Sequence, residues 1–453
     1  MENPMFVLDE HMVESVFDYC HQRLALDPVA LDFGGVRESF DDVLSGLIGE
    51  SGNDPDAVLG LFADQLATAV ISCDSPRFLS FIPAAPTKAA LLFDMIVSCS
   101  SLAGTSWLEA AGAVAAENQV LGFLADLAGL PPGAGGCFVS GGSIANLSAL
   151  VVARDTTVLR RHAVPLRPRI AVSEEAHASV ERALRILGVE PLVVTSEDHR
   201  LTGGALQAAL DRLAGDADDV VGVVATAGTT NAGIIDDLEG ISAVARDRSL
   251  WFHVDAAYGG VGLLTPLVRD RYAGIEHADS LIIDPHKWLY APFDCAALVY
   301  REPALARAVH TQKASYLDVI HDDDNPVWNP SDYAVHLTRR ARGLPLWFSL
   351  AVHGAGAYRD AVETVLRTAW QSAELISRSP HLELVRDPEL SIVLFRRTGW
   401  VARDYDAWSV NLLARQIGFV TPTSWEGEPV ARLAFLHPGT TLAMVEEILA
   451  TMA

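Results

Sequence analysis

Seven short β-rich runs alternate with helical stretches from about residue 104 to residue 300, and this alternation limits the fold more than any other feature. The runs are CFVS (137–140), RIAVS (169–173), PLVV (191–194), VVGVVAT (220–226), LWFHVD (250–255), SLIID (280–284) and AALVY (296–300). They are apolar on both faces, as expected for strands of a parallel sheet that is covered by helices on both sides. The alternation therefore predicts an α/β domain built on a mostly parallel sheet of seven strands.

The remaining chain predicts two smaller units beside this large domain. Residues 1–72 show helical spacing of apolar residues but form a segment too small to fold alone. Residues 347–453 alternate helices with strands and predict a small α+β domain. Its expected elements are a helix at 351–379, a strand at 390–397, a helix at 405–417, a strand at 429–435 and a helix at 442–452. The large domain then covers residues 73–346.

The composition excludes several classes of function. The chain has 58 acidic and 33 basic residues, so no basic excess is available to neutralise nucleic-acid phosphates or an anionic membrane surface. No stretch reaches the roughly 18 uninterrupted apolar residues of a membrane span. The five cysteines form no metal-ligand pattern, and we expect no metal site. We therefore expect a soluble, cytoplasmic protein with a small-molecule ligand.

Lysine is rare in this chain, which draws attention to each of its three copies, Lys88, Lys287 and Lys313. Lys287 follows a β-run that ends in Asp-Pro, and its neighbours are His286 and Trp288. A positioned and partly neutral lysine forms Schiff bases with carbonyl compounds. A single lysine is more often a solvated surface residue, but the apolar and aromatic neighbours favour the catalytic interpretation for Lys287.

Two further segments place residues that can bind a ligand at the ends of β-runs. Asp255 ends the run in HVDAAYGG, where α/β sheets bind ligands, although a helix N-cap is an equally good interpretation of that aspartate alone. Gly141, Gly142 and Ser143 form a turn between a β-run and a helix pattern. Exposed amides and hydroxyls at such a helix start form a phosphate-binding site.

His177 and Thr230 complete the set. His177 stands where a helix pattern begins, and Thr230 follows the β-run VVGVVAT. Each is a weak signal alone, since a lone histidine is more often structural. Together, a phosphate turn, an acid, an imidazole and a Schiff-base lysine are the parts that a pyridoxal phosphate site requires.

The segments DPHKW (284–288), HVDAAY (253–258) and HASVERA (177–183) resemble the group II pyridoxal-phosphate-dependent amino acid decarboxylases, which include the aromatic L-amino acid, histidine and glutamate decarboxylases. The resemblance extends from about Pro76 to the C-terminal helix. It implies the aspartate aminotransferase-like fold type I. It also implies a homodimer with shared active sites, in which residues 1–72 pack on the partner.

The resemblance also implies roles for the residues that match the family's motifs. Lys287 corresponds to the lysine that holds the cofactor, Asp255 to the partner of the pyridine nitrogen and His177 to the imidazole that stacks on the ring. The other cofactor-binding positions are Gly141, Gly142, Ser143, Thr230, Asp284 and His286. Asp284 replaces an asparagine of the animal relatives, and a carboxylate there would repel the phosphate unless it turned away or met a donor.

Tyr316 matches a loop tyrosine that the aromatic decarboxylases carry 29 residues after the Schiff-base lysine, and the spacing from Lys287 is the same here. In the family this tyrosine is thought to protonate the carbanion after CO2 leaves. A phenylalanine at that position is associated with oxidative aldehyde formation. The resemblance thus implies that Tyr316, with Lys287 and His177, is catalytic and that ordinary decarboxylation is the reaction.

The substrate pocket departs from the animal aromatic enzymes. The matching positions are Phe81, Ile82, Pro83, Ala84, Thr105 and Thr338. Ala84, Thr105 and Thr338 stand in place of a threonine, a phenylalanine and a glycine. These changes open space and add polarity, and a methylene-scale change alters discrimination by only about 1–3 kcal/mol.

Several alternatives for substrate and activity stay open. We expect an aromatic or other bulky L-amino acid as substrate, with glutamate or 2,4-diaminobutyrate as the second choice. An extra substrate carboxylate would meet Arg339, Arg340 or Arg342, although structural ion pairing is the simpler interpretation of that cluster. Oxidative deamination to an aldehyde, aminotransfer, another fold type I lyase reaction and a non-catalytic binding role are the alternative activities.

Overall fold

The computed structural model describes residues 4–32, 40–82, 85–161, 165, 167–213, 218–321 and 327–453. The helices are α1 (Glu10–Ala25), α2 (Asp41–Leu44), α3 (Pro55–Leu61), α4 (Lys88–Cys99), α5 (Trp107–Leu127), α6 (Gly142–Arg161), α7 (Ala178–Leu187), α8 (Gly203–Arg212), α9 (Leu238–Asp247), α10 (Pro303–His310), α11 (Leu344–Arg378), α12 (Ala402–Ala414) and α13 (Leu442–Ala450). The strands are β1 (Gly135–Val139), β2 (Arg169–Ser173), β3 (Glu190–Val194), β4 (Val220–Thr226), β5 (Trp251–Asp255), β6 (Ser280–Ile283), β7 (Ala296–Tyr300), β8 (Leu382–Leu384), β9 (Ile392–Arg397), β10 (Thr423–Trp425) and β11 (Glu428–Ala434).

The large sheet has seven strands in the order β3-β2-β4-β5-β6-β7-β1. Each predicted β-run forms one of them, so the predicted α/β fold class is confirmed. Strand β7 is antiparallel to both of its neighbours, β6 and β1, and all other neighbouring pairs are parallel. Because β1 is antiparallel to an antiparallel strand, it points the same way as β6. Six strands therefore present their carboxyl ends at one edge, where sheets of this kind bind ligands.

Helices cover both faces of this sheet, which explains why its strands are apolar on both sides. In β6, Leu281 and Ile283 pack into the core beneath α5, α8 and α9, whereas Ile282 packs into the core beneath α6, α7 and α10. Successive side chains of a strand point to opposite faces, so each strand contributes to both cores. No helix in the described parts of the chain is both long and apolar enough to cross a membrane.

The C-terminal region contains a second, antiparallel sheet of four strands in the order β10-β11-β9-β8, which accompanies α12 and α13. The predicted α+β character of this region is confirmed. Strands β8 and β10 were not predicted, because three residues are too few to show an alternating pattern. Helix α11 begins seven residues before its predicted start and departs from helical geometry at Gly354, where φ is +75°. The domain boundaries after residues 72 and 346 stay predictions.

A buried ion pair joins α5 to the segment that precedes α11. The guanidinium of Arg339 donates two hydrogen bonds of 2.7 Å to the two carboxylate oxygens of Glu117, and both side chains are at most 3% exposed. Glu117 also accepts a hydrogen bond of 2.8 Å from the backbone N–H of Gly343. Arg340 and Arg342 pair with the carboxylates of Asp94 and Asp294 at 2.9 and 2.8 Å. The arginine cluster therefore forms structural ion pairs.

The buried pair predicts a large loss of stability when one partner is removed. We expect Arg339→Gln to lower the free energy of unfolding by about 3–5 kcal/mol, because it leaves the Glu117 carboxylate buried without a counter-charge. The matched variant Arg378→Gln breaks an exposed pair with Glu374 and should cost less than about 1 kcal/mol. Urea denaturation of both variants measures the difference, and equal losses would contradict a stabilising role for the buried pair.

Candidate active site

A cavity of about 350 Å³ lies at the carboxyl edge of the large sheet. All nine residues predicted to bind the cofactor line it: Gly141, Gly142, Ser143, His177, Thr230, Asp255, Asp284, His286 and Lys287. The cavity is also lined by residues that sequence reasoning did not select, namely Asn146, Ser179, Thr226, Gly228, Ala257, Tyr258, Phe293 and Asp294. The structure thus brings together these residues, which are up to 153 positions apart in the chain, from Gly141 to Asp294.

The topology of the sheet explains this convergence. Gly141 follows the end of β1, His177 follows β2, Thr230 follows β4, Asp255 ends β5 and Lys287 follows β6. These five strands point the same way, so the segments that follow them meet at one edge. Asn146 was not among the predicted residues, although the sequence contains a signal for it. It lies three residues after Ser143 on α6, and such spacing places two side chains on one helix face.

Lys287 forms an ion pair with Asp284 inside the cavity. Its Nζ lies 3.1 Å from Oδ2 of Asp284, whose side chain is only 2% exposed. The backbone N–H of Gly142 donates to the same oxygen at 3.1 Å. Of the two expectations for Asp284, the structure shows the second: the carboxylate does not turn away, and donors face it. Its other oxygen, Oδ1, has no hydrogen-bond partner among the described residues.

Asp255 ends β5 with a carboxylate held by two donors. The side-chain amide of Asn146 donates to Oδ2 at 2.9 Å, and the backbone N–H of Ala257 donates to Oδ1 at 3.1 Å. The residue is only 6% exposed and lines the cavity. The predicted helix N-cap role does not apply, because no helix of the described chain begins directly after Asp255.

The two histidines of the site differ in their surroundings. His177 caps α7, and its Nδ1 accepts a hydrogen bond of 3.2 Å from the backbone N–H of Ser179. In a neutral ring the proton of His177 is then on Nε2. His286 accepts a hydrogen bond of 3.1 Å at Nδ1 from the backbone N–H of Cys295. Burial lowers the pKa of His286, which favours its neutral form.

The residues present fit pyridoxal phosphate. The turn at Gly142 begins a 20-residue helix, and a helix N-terminus attracts phosphate. A Cβ added at Gly142 would lie 2.9 Å from Oδ2 of Asp284, so glycine allows the backbone to approach this carboxylate closely. The amine of Lys287 and the carboxylate of Asp255 line the same space as this turn. In the described residues no group of three or more His, Cys, Asp or Glu side chains is arranged to hold a metal ion.

Among the described residues predicted for the substrate pocket, none lines this cavity. Pro83 and Ala84 lie outside the described residues. Phe81 is 62% exposed, and its carbonyl accepts a hydrogen bond from the buried guanidinium of Arg432. Arg432 also donates to the carbonyls of Thr230 and Asn231, so the segment of Phe81 and Ile82 lies beside the cavity wall. Burial lowers the pKa of Arg432 to about 10. Arg432 was missed because an arginine within a β-run gives no distinct signal.

Thr105, Tyr316 and Thr338 form a separate group, which we call the loop group. The backbone of Arg339, next to Thr338, accepts a hydrogen bond from Gly104, next to Thr105. Asn329 joins the same region to the loop of Tyr316, since its side chain bonds the backbone of Trp107 and of Ile320. Tyr316 itself is 70% exposed, Thr338 is exposed and Thr105 is buried. None of the three reaches the cavity of its own chain.

Comparison with known proteins identifies the family. The family model described as "Pyridoxal-dependent decarboxylase conserved domain" matches residues 48–398. The chain belongs to this family of pyridoxal-dependent decarboxylases. It is 30% identical over 424 residues to the aromatic-L-amino-acid decarboxylase of Bacillus atrophaeus, which covers 90% of this chain and 86% of that protein. It is 32% identical over 433 residues to the L-2,4-diaminobutyrate decarboxylase of Rhizobium meliloti (strain 1021), with 92% and 85% covered.

The fold of the decarboxylase also matches solved structures. The crystal structure of Oryza sativa TDC with PLP and tryptamine superposes with a TM-score of 0.89 and 24% identity, covering 98% of this chain and 97% of that one. This likeness supports the fold. The family membership supports pyridoxal phosphate as cofactor and a carboxy-lyase activity on an amino acid. The predicted family, fold type and reaction class are therefore confirmed.

Asp284 gives a test of the phosphate end of the cavity in this decarboxylase. We expect Asp284→Asn to tighten pyridoxal phosphate binding several-fold, because it removes a buried negative charge next to the glycine turn. Titration of the apoprotein with the cofactor, followed by tryptophan fluorescence, measures the dissociation constant. Asp294→Asn, also at the cavity, is the matched control. Weaker binding in Asp284→Asn alone would show that the carboxylate helps to hold the lysine for the cofactor.

Proposed function

We propose that this decarboxylase converts an L-amino acid with a bulky or aromatic side chain to the corresponding amine and CO2. The single observation that carries the proposal is the cavity, in which an amine, a buried carboxylate, an imidazole and a glycine turn face one space. When bound, pyridoxal phosphate supplies an electron sink for the electrons of the Cα–carboxylate bond. Side chains of the protein hold the cofactor and substrate and transfer the protons.

Each side chain of the cavity has a distinct task in this proposal. Lys287 would hold the cofactor through its Nζ and would accept and return protons at that atom, with Asp284 as its charge partner at 3.1 Å. The backbone at Gly142 and Ser143 binds the phosphate at the start of α6. Asp255 would pair with the pyridine nitrogen, and His177 would cover the ring. Family membership and the placement of these side chains around one cavity support these roles.

The ion pairs of the arginine cluster favour a substrate without an extra carboxylate. Arg339, Arg340 and Arg342 are each engaged by a carboxylate of the protein. A glutamate side chain would have to displace one of these partners, so glutamate is disfavoured. The second candidate substrate is 2,4-diaminobutyrate, which the similarity to the Rhizobium meliloti enzyme favours.

A homodimer with shared active sites explains two features of the single chain. Helix α1 has no buried residue, although it carries Met12, Val16 and Phe17, each more than 40% exposed. Exposed apolar side chains on one element are typical of a surface that another chain covers. The loop group of Thr105, Tyr316 and Thr338 does not reach its own cavity. We therefore assign residues 1–72 to packing on the partner, and the loop group to the partner's active site.

Tyr316 is the proposed proton donor to Cα after CO2 leaves. Its side chain is free of the protein core, and it belongs to a loop that closes a site more easily than a strand or helix does.

We further assign residues 73–346 to the cofactor-binding domain and 347–453 to the small domain. The lack of a basic excess agrees with a cytoplasmic enzyme that acts on small molecules.

A substrate panel tests the proposed reaction. The purified protein is incubated with L-tryptophan, L-tyrosine, L-phenylalanine, L-2,4-diaminobutyrate and L-glutamate, and CO2, amine, aldehyde and peroxide are measured. We expect CO2 and amine in equal amounts from an aromatic substrate. Lys287→Ala should reduce amine formation by at least about a hundredfold, whereas Lys88→Ala should leave it unchanged. Aldehyde with peroxide as the main products, or activity only on diaminobutyrate, would overturn the proposed reaction or substrate.

Tyr316→Phe tests the proton donor separately. Removal of the hydroxyl should lower amine formation by about 10²–10⁴-fold, the usual contribution of a positioned acid, and raise the share of aldehyde. Ser315→Ala alters the adjacent exposed residue of the same loop and serves as the control. Unchanged amine output from Tyr316→Phe would remove Tyr316 from the mechanism.

A further inference from the structure

A chain of buried hydrogen bonds lies behind Asp255 and has no part in the roles assigned above. The indole N–H of Trp251 donates to Oγ of Ser280 at 2.8 Å, and Ser280 lies 2.7 Å from Nδ1 of His253. Nε2 of His253 lies 2.8 Å from the amide oxygen of Asn146. These four residues are at most 2% exposed, so water cannot replace any of the bonds.

Asn146 divides this chain into two branches that both reach the cavity. Its amide nitrogen donates to Oδ2 of Asp255 at 2.9 Å and to Oγ of Ser179 at 3.0 Å. Ser179 in turn lies 2.8 Å from Nδ1 of His177. One amide thus contacts the acid of the site directly and its imidazole through a hydroxyl.

The chemistry of the groups sets the direction of every bond. Indole only donates, so Oγ of Ser280 accepts from Trp251, and a neutral His253 ring protonated on Nε2 accepts the proton of Ser280 at Nδ1. The amide oxygen of Asn146 only accepts, so His253 must carry its proton on Nε2. Burial lowers the pKa of His253 to about 4, which keeps the ring neutral with a single N–H. Every donor in the chain meets an acceptor.

The Nε2–H of His253 holds the amide of Asn146 in one orientation, which a buried side chain without a donor would not do. The two ends of an asparagine amide are nearly the same shape, and only their partners decide which end faces which way. A donor at the oxygen end holds the nitrogen end toward Asp255. Without that donor the amide can turn, and its oxygen would then lie against the carboxylate, where two acceptors repel.

We propose that His253 is a positioning residue that, by fixing the amide of Asn146, orients the carboxylate of Asp255 and the imidazole of His177 for the cofactor. The inference rests on the proposed function, since it assigns a purpose to the same site. It makes Asn146 the branch point and His253 the residue that determines its orientation. His253 touches neither the cavity nor the reacting groups.

Two substitutions of similar polarity at His253 distinguish a role in positioning Asn146 from a role in packing alone. In His253→Gln the side-chain amide reaches the former position of Nε2 and can still donate to Asn146. In His253→Asn the shorter amide reaches only the position of Nδ1, near Ser280. A purely structural role predicts equal effects of the two variants, whereas the proposal predicts that only His253→Gln retains function.

The measurement is the dissociation constant of pyridoxal phosphate for the full-length apoprotein, followed by tryptophan fluorescence, together with the absorption spectrum of the bound cofactor. We expect His253→Gln to remain within about threefold of wild type and His253→Asn to bind about tenfold or more weakly, the usual effect of losing a hydrogen bond to a charged group. The absorption spectrum of the bound cofactor should change in His253→Asn and stay the same in His253→Gln. Thr156→Val, a buried substitution elsewhere on α6, is the control and should leave both readouts unchanged.

A second position makes the test independent of how well the His253 variants fold. Asn146→Asp keeps the shape but removes the amide donor, and we expect cofactor binding to weaken by more than tenfold. Adding His253→Asn to Asn146→Asp should cause no further loss, because both act through one contact. Equal affinities of His253→Gln and His253→Asn, or wild-type affinity in Asn146→Asp, would overturn the proposal. Absence of cofactor binding by the wild-type protein would instead overturn the proposed function.

Discussion

The common direction of six strands in the large sheet is the constraint on which the rest of the structure depends. Strand β7 is inserted antiparallel between β6 and β1, and the double reversal keeps β1 aligned with the others. Without that arrangement the glycine turn after β1 would lie at the opposite edge from Asp255 and Lys287. The site therefore follows from backbone hydrogen bonding before any side chain contributes.

Buried charge is the second organising feature. Lys287 and Asp284 neutralise each other at 3.1 Å, and the carboxylate of Asp255 receives two hydrogen bonds. A charge removed from water needs such partners, since its desolvation is otherwise too costly. The cavity consequently has polar groups that are already oriented, and little reorganisation is needed when a charged ligand enters.

The cofactor end of the site could be predicted from the sequence, because its residues follow β-runs in short and distinctive motifs. Asp255 in HVDAAY and Lys287 in DPHKW carry a strong local signal. Asn146 was within reach of the sequence, because it shares a helix face with Ser143. Arg432 could not be singled out, since its importance lies in contacts with residues distant in the chain. The placement of the loop group outside the cavity of its own chain could not be predicted either, because spacing along the chain does not tell which cavity a side chain lines.

The α/β class, the seven strands of the large sheet and the set of side chains for a pyridoxal phosphate site all follow from the sequence alone. These depend on periodicity and on local motifs, which are properties of neighbouring residues. Only the tertiary structure decided that Asp284 faces the glycine turn, that the arginine cluster is engaged in ion pairs, and that His253 holds Asn146 against Asp255. Those contacts join residues more than 40 positions apart, and only the folded chain brings such residues within hydrogen-bonding distance.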